Sequence, residues 1–191
     1  MREHIVTALR LTLVLLLLVS GVYPLCVWAI GQVLFPISAN GSMIAREGRT
    51  VGSSLIGQSF TSDRYFHSRP SAVDYNASAS GGSNLGPTSR KLKERIAADI
   101  QSLGVPAGVA VPADAVTTSA SGLDPHISPA NAILQVPRVA RARGLDQGAL
   151  RALVEKRIEG KFLGIYGAPR VNVLLLNVEL DDRMARHAAR D

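Results

Sequence analysis

Residues 11–34, LTLVLLLLVSGVYPLCVWAIGQVL, carry no charged side chain. A run of about 20 apolar residues is enough to cross a bilayer core as a helix, so one membrane span is predicted. Pro24 interrupts the backbone hydrogen bonding of that helix. Within a membrane such a break produces a kink whose freed groups are met locally or by a neighbouring helix. Pro24 is therefore the candidate position for packing against a partner helix. A cleaved secretory signal is the competing reading, with residues 1–10 as a basic leader and Val27-Trp28-Ala29 as a faint cleavage site. The apolar run is too long for it and continues past the supposed cut through residues 30–35, which favours an uncleaved anchor.

Beyond the span the pattern turns mixed. Residues 52–60, GSSLIGQSF, read as a strand or extended segment, and residues 74–87 and 117–128 have the Asn, Ser, Gly and Pro chemistry of loops. Thr88 can cap a helix reaching Leu103, with Leu92, Ile96, Ile100 and Leu103 on one 3.6-residue stripe. Its Arg90, Lys91, Lys93, Glu94 and Arg95 then form a solvated face. A Val, Ala and Pro linker, 105–116, follows. Ser128-Pro129 predicts an N-cap with proline at the first helical position. Pro137 predicts a break, followed by a short helical piece over 138–143 that puts Arg138 and Arg141 on a solvated face and ends at Gly144. Asp146 caps a further helix with Leu150, Val154 and Ile158 inward. Residues 171–178, VNVLLLNV, read as the central strand, and 179–190 as a tail with acids first and bases last. The fold class expected is α+β: one N-terminal transmembrane helix, then a compact mixed helix/sheet soluble domain with two or three helices on a small sheet.

Charge changes the picture little. The net charge is +6, of which Arg2, Arg10 and Glu3 in the first 35 residues contribute one, leaving the remainder mildly basic. Four Phe, four Tyr and one Trp, mostly dispersed, do not make the basic and aromatic surface that nucleic-acid binding uses. Cys26, the only cysteine, lies inside the apolar run, so the soluble part has neither a disulfide nor a thiolate metal site. Arg2, Arg10 and the terminal amine outweigh the distant Arg46 and Arg49, which places residues 1–35 as a cytoplasmic stub and span and residues 36–191 outside.

No Walker A sequence, GxSxG elbow, HExxH pair or EF-hand loop occurs, so no self-sufficient active site is expected: no catalytic, cofactor-binding or metal-binding residue is assigned. The histidines are His4, His67, His126 and His187. A metal site would need His67, Asp74, Asp124 and His126 to converge from separate loops. Asp124-Pro125-His126 suggests an acid and base pair but reads more simply as a turn capped by Asp124. Ser80-Gly81-Gly82-Ser83-Asn84 is a glycine-rich turn that could offer amides to a phosphate, though it lacks a strand-to-helix setting. Ser83, Asn84, Asp124 and His126, in the two long loops, are the candidate partner-facing residues.

Taken together, the span followed by GQSF (57–60), YFHSRPSA (65–72), SGGSNLGPTS (80–89), TTSASGLDPHISPANA (117–132), QVPRVARARGL (135–145) and PRVNVLLLN (169–177) resembles the KdpC subunits of bacterial Kdp potassium-transporting P-type ATPases. The resemblance implies a non-catalytic inner-membrane subunit with two partners, an ATP-hydrolysing subunit and a potassium-channel-like subunit. It also implies a catalytic-chaperone role, raising the ATP affinity of the hydrolysing subunit, although an outer domain has no direct access to cytoplasmic ATP. ATP thus belongs to the complex, and no cofactor is assigned to this chain. The alternative class is a membrane-anchored exported binding domain or envelope enzyme unrelated to transport.

Overall fold

A computed structural model of the chain describes residues 1–106 and 108–188, with side chains to residue 185. It divides into two compact units, Met1–Val51 and Gly52–Asp191.

In the first unit, helices α1 (Arg2–Leu17) and α2 (Tyr23–Leu34) are joined by a π-helical stretch, Leu18–Val22, into one rod. The rod, Arg2–Leu34, is long and apolar enough to cross a membrane. Pro24 sits in the first turn of α2, just past the π-helical residues. The break expected there takes the form of a wide turn, because proline offers no N–H to a normal i−4 bond. A one-turn helix α3 (Pro36–Ala39) follows, then a hairpin of β1 (Met43–Arg46) and β2 (Arg49–Ser53). Glu47 and Gly48 at its tip both have positive φ, 50° and 76°, which a tight two-residue hairpin turn requires. The strand expected over 52–60 therefore lies earlier, and only Gly52 and Ser53 of that segment belong to it.

The second unit is a helical core trimmed by short strands. α4 (Arg90–Ser102) starts from Ser89, whose hydroxyl accepts from Leu92 N, not from Thr88. None of its residues is fully buried, and Ile100 is 40% exposed. α5 (Ala113–Val116) is a single turn inside the expected linker, in which Ala107 lies outside the described residues. β3 (His126–Ile127) leads into α6 (Pro129–Arg143), capped by Ser128 as expected. α6 runs unbroken through Pro137. One face, with Asn131, Gln135, Val139 and Arg143 among its buried residues, spans the proline on both sides, and that shared burial outweighs the lost hydrogen bond. Gly144, left-handed at φ 67°, ends the helix and turns the chain into α7 (Gln147–Lys156), capped by Asp146. Leu150 and Val154 are buried on α7, while Ile158 packs on the core from beyond the helix end.

The expected central strand over 171–178 is corrected by the structure. Only β4 (Val171–Asn172) is extended, pairing antiparallel with β3 in the register His126↔Asn172 and Ile127↔Val171. α8 (Val173–Ala188) begins at once. The Asn172 carboxamide caps it by accepting from Leu175 N at 3.1 Å, and Val173, Leu176, Asn177 and Leu180 form a buried i, i+3, i+4, i+7 stripe. The acidic-to-basic tail continues this helix; residues 189 and 190 lie outside the described residues. α6, α7 and α8 enclose Val136, Val139, Leu153, Val154, Leu176 and Leu180, with Phe66 from the preceding loop fully buried among them.

Candidate functional site

The two long loops come together. Gly81 N–H and the Ser80 hydroxyl both donate to Ser121 O, at 2.9 and 3.0 Å, and the Thr118 hydroxyl reaches Ser83 Oγ at 3.1 Å. Ser71 Oγ, in the segment just before these loops, donates to Gly122 O at 2.7 Å. Glycine is required where the loops meet, since a Cβ on Gly82 would stand 2.9 Å from Ala120 O and one on Gly122 2.8 Å from Gly81 O. Asn84 is exposed with φ 51°.

Asp124 and His126 sit at the end of this pair of loops. Asp124 accepts from His126 N at 2.9 Å, so it caps the turn as expected, and its other oxygen takes Arg69 Nη1 at 3.2 Å. Arg69 also donates to Thr118 O at 3.4 Å, which links Asp124 through one guanidinium and one threonine to Ser83. Burial opposes ionisation of Asp124, but hydrogen bonds from His126 and Arg69 win and hold its carboxyl below the usual range. The His126 ring lies between two carboxylates, Nδ1 3.6 Å from Asp124 and Nε2 3.9 Å from Glu159.

His67 belongs elsewhere, and the described residues contain no group of three His, Cys, Asp or Glu side chains placed to hold a metal ion. His67 lies on the strap 65–67, which is clamped by two side-chain amides. Gln135 of α6 accepts from His67 N and donates to His67 O, at 2.7 and 3.1 Å. Asn177 of α8 does the same for Phe66, at 2.9 Å in both directions. The network extends from Gln135 to Asn131 at 2.9 Å, and from there to Asp114, whose carboxylate also takes Ser128 N and Oγ.

Arginines finish the strap. Arg138 is not a solvated residue: it donates to Tyr65 O, Asp63 O and Gln135 Oε1, and its Nη1 is 3.3 Å from His67 Nε2. Burial and the Arg138 charge push the His67 imidazole below its ordinary value, more than Ser62 O and Asp63 can offset. Arg143, with a side chain only 2% exposed, pairs with Asp181 at 2.8 Å and covers the Tyr65 ring at 4.7 Å. Arg141 is exposed as expected. On α4, Arg95 leaves the solvated face to contact Val116 O and Asp99. An open cleft of about 400 Å³ borders the strap, lined in part by Asp63, His67, Tyr75, Asp99 and Arg138.

The loop pair thus holds Ser83, Asp124 and His126, and the strap holds Arg138 and Arg143, which periodicity had assigned to a solvated face and a helix end. Their signal lay in the dense run QVPRVARARGL: a helix inside a core has no room for solvated arginines on every side.

The family described as KdpC, K+-transporting ATPase, c chain, matches residues 5–182. The potassium-transporting ATPase KdpC subunit of Koribacter versatilis (strain Ellin345) is 50% identical over 184 residues, covering 95% of each chain. That of Myxococcus xanthus is 54% identical over 183 residues, 93% of this chain and 87% of the other. That of Gloeobacter violaceus (strain ATCC 29082 / PCC 7421) is 50% identical over 180 residues, with 94% and 96% covered. The match takes in both the apolar helix and the second unit, and the chain belongs to the KdpC family of potassium-transporting ATPase subunits.

Proposed function

We propose that this chain is a non-catalytic accessory subunit of a high-affinity, ATP-driven potassium uptake complex, needed for its assembly and stability. The observation that carries the reading is the family correspondence across residues 5–182, which spans the membrane helix and the second unit together. The partners are an ATP-hydrolysing P-type subunit and a potassium-channel-like subunit. Potassium passes through them, since one helix cannot enclose a pore and residues 11–34 contain no Asp, Glu, Lys, Arg or His to line one.

In this reading the helix packs on the channel-like subunit around Pro24, whose missing N–H takes one donor from the helix. The N-terminus is cytoplasmic and the second unit lies outside, where it stabilises the assembly or guards the ion entrance. The chain carries no cofactor of its own. ATP acts on the hydrolysing subunit, and any rise in its affinity reaches it through the assembled complex. The Gly81 amide, one that a phosphate would need, is spent on Ser121 O, which favours an indirect effect over direct nucleotide binding.

The test is gentle detergent extraction of the tagged chain from its native membrane, with mass spectrometry of stoichiometric partners and a potassium-stimulated ATPase assay. Recovery of both partner subunits, with activity lost when this chain is omitted, is the expected result. A lone, monomeric chain overturns the reading. A reporter fused after residue 191 that is active only in the cytoplasm overturns the orientation.

A further inference from the structure

Among the described residues of the second unit, Leu55, Ile100 and Val109 are exposed singly, but the other large exposed hydrophobics stand together. Phe162, Leu163, Ile165 and Tyr166 are 70, 75, 73 and 67% exposed, four large hydrophobics within five positions. Single exposed hydrophobics are ordinary, whereas a contiguous group marks a surface that something covers.

Local chemistry holds this segment as a firm projection. Phe162 and Tyr166 exchange backbone hydrogen bonds at 2.9 and 3.0 Å, and Ile165 N–H reaches back to Phe162 O at 3.1 Å. Leu163 and Gly164 turn the tip at φ 52° and 74°. At the base, Glu159 and Arg170 exchange backbone bonds at 2.8 and 3.0 Å, and their side chains pair at 2.9 Å. Immediately after that base the chain enters the core at Val171, which is fully buried. The tip thus stands on a rigid foundation while its own apolar groups stay outside the core. Ordering so apolar a tip in water, with a leucine in the left-handed region, brings the isolated chain no burial in return.

We infer that residues 161–167 form the knob by which the second unit docks into an apolar pocket, rimmed by acidic side chains, on another protein subunit of the same potassium-transporting ATPase. The inference rests on the subunit reading above and names the surface that makes the contact. The charge around the knob specifies the partner. Arg157 is paired with Glu179 and Arg170 with Glu159, so Lys156 and Lys161 are the nearby cations without an ion-pair partner among the described residues. Two free lysines beside a carboxylate fall short of the four to eight clustered cations that an anionic lipid surface recruits. They suit a pocket with a few acids at its edge. Aromatic side chains such as Phe162 and Tyr166 are also the groups enriched at protein interfaces, and a loop already ordered has less to lose on binding.

The test uses the whole complex, expressed with the full-length wild-type or variant chain and purified in mild detergent through a tag on a partner subunit. The fraction of wild-type chain retained on serial dilution, with potassium-stimulated ATPase activity, gives the reference affinity. The Phe162→Ser/Ile165→Ser variant is expected to bind about 100-fold more weakly, with an unchanged thermal melt because both side chains are exposed. Lys156→Glu/Lys161→Glu is expected to weaken binding about tenfold at low salt. A photoreactive benzophenone side chain replacing Tyr166 is expected to crosslink to an acidic segment of a partner subunit. Crosslinking of that position to lipid or to a second copy of this chain overturns the inference, as does wild-type affinity in the serine variant. A wild-type chain that does not co-purify with the partner subunits at all overturns the subunit reading instead, so the two failures are distinguishable.

Discussion

Asn177 offers the sharpest test of how this fold is held. Its carboxamide is 2% exposed and completes both backbone bonds of Phe66, a residue that is itself fully buried. In Asn177→Ala the Phe66 N–H and C=O both lose their partner in a site that water does not reach. Each orphaned group costs about 1 to 3 kcal/mol, and two together about 3 to 4 once partial relaxation is allowed. At about 3 °C per kcal/mol for a unit of this size, the melting temperature of the full-length chain in mild detergent should fall by roughly 10 °C. Asn177→Leu separates the polar loss from the cavity. Leucine fills the volume but offers no hydrogen bond, so it should cost nearly as much as alanine. Circular dichroism melts of the two variants decide the matter. A fall under 2 °C for both, or a leucine variant as stable as wild type, would refute the amide clamp and leave Phe66 held by apolar packing alone.

Other outcomes follow from the same geometry. Because the His67 imidazole is held below its ordinary value, the unfolded chain takes up its proton first; stability is full above about pH 6.5 and falls as pH drops below it. His67→Gln should flatten that slope in denaturant titrations below about pH 6.5. The depressed Asp124 carboxyl gives stability that is present above about pH 4 and lost on further acidification, a step that Asp124→Asn should remove. Pro137 is exposed inside α6. Pro137→Ala restores a helical N–H worth about 3 kcal/mol against about 1 lost through a freer unfolded chain, so the melt should rise by the equivalent of about 2 kcal/mol. In Gly57→Ala the new Cβ would lie 2.5 Å from Asp124 O. Hydrogen exchange should accelerate across residues 117–128, with about 1 to 3 kcal/mol lost to overpacking.

The reach of the sequence can be traced element by element. Residues 11–34 announce a span because a bilayer helix satisfies its own backbone and needs only local hydrophobicity. The caps at Ser128 and Asp146 are equally local, each a side-chain oxygen three residues from the amide it accepts, and both were legible. The loop pair was partly legible. Its Ser, Gly and Asn residues mark turns, but that Ser121 meets Gly81 depends on contacts forty residues apart. The run VNVLLLNV was ambiguous in principle, since six apolar residues in eight suit a buried strand and a buried helix alike. The decision came from outside the run, from a core that buries a helical stripe running on to Leu180 and from the Asn177 clamp on Phe66 within it. Pro137 was misleading for the same reason: its local cost is real, but a core face shared across it outweighs that cost. Arg138, Arg143 and Gln135 could not be recognised as strap residues from spacing alone, because their partners are backbone groups 68 to 79 residues away. What the sequence by itself determined about this protein was therefore the membrane helix, the helix caps and the motifs that carry its family. Only the tertiary structure decided which apolar run became helix, which arginines went inside and which hydrophobic side chains were left on the surface, since each of those depends on what the rest of the chain places opposite them.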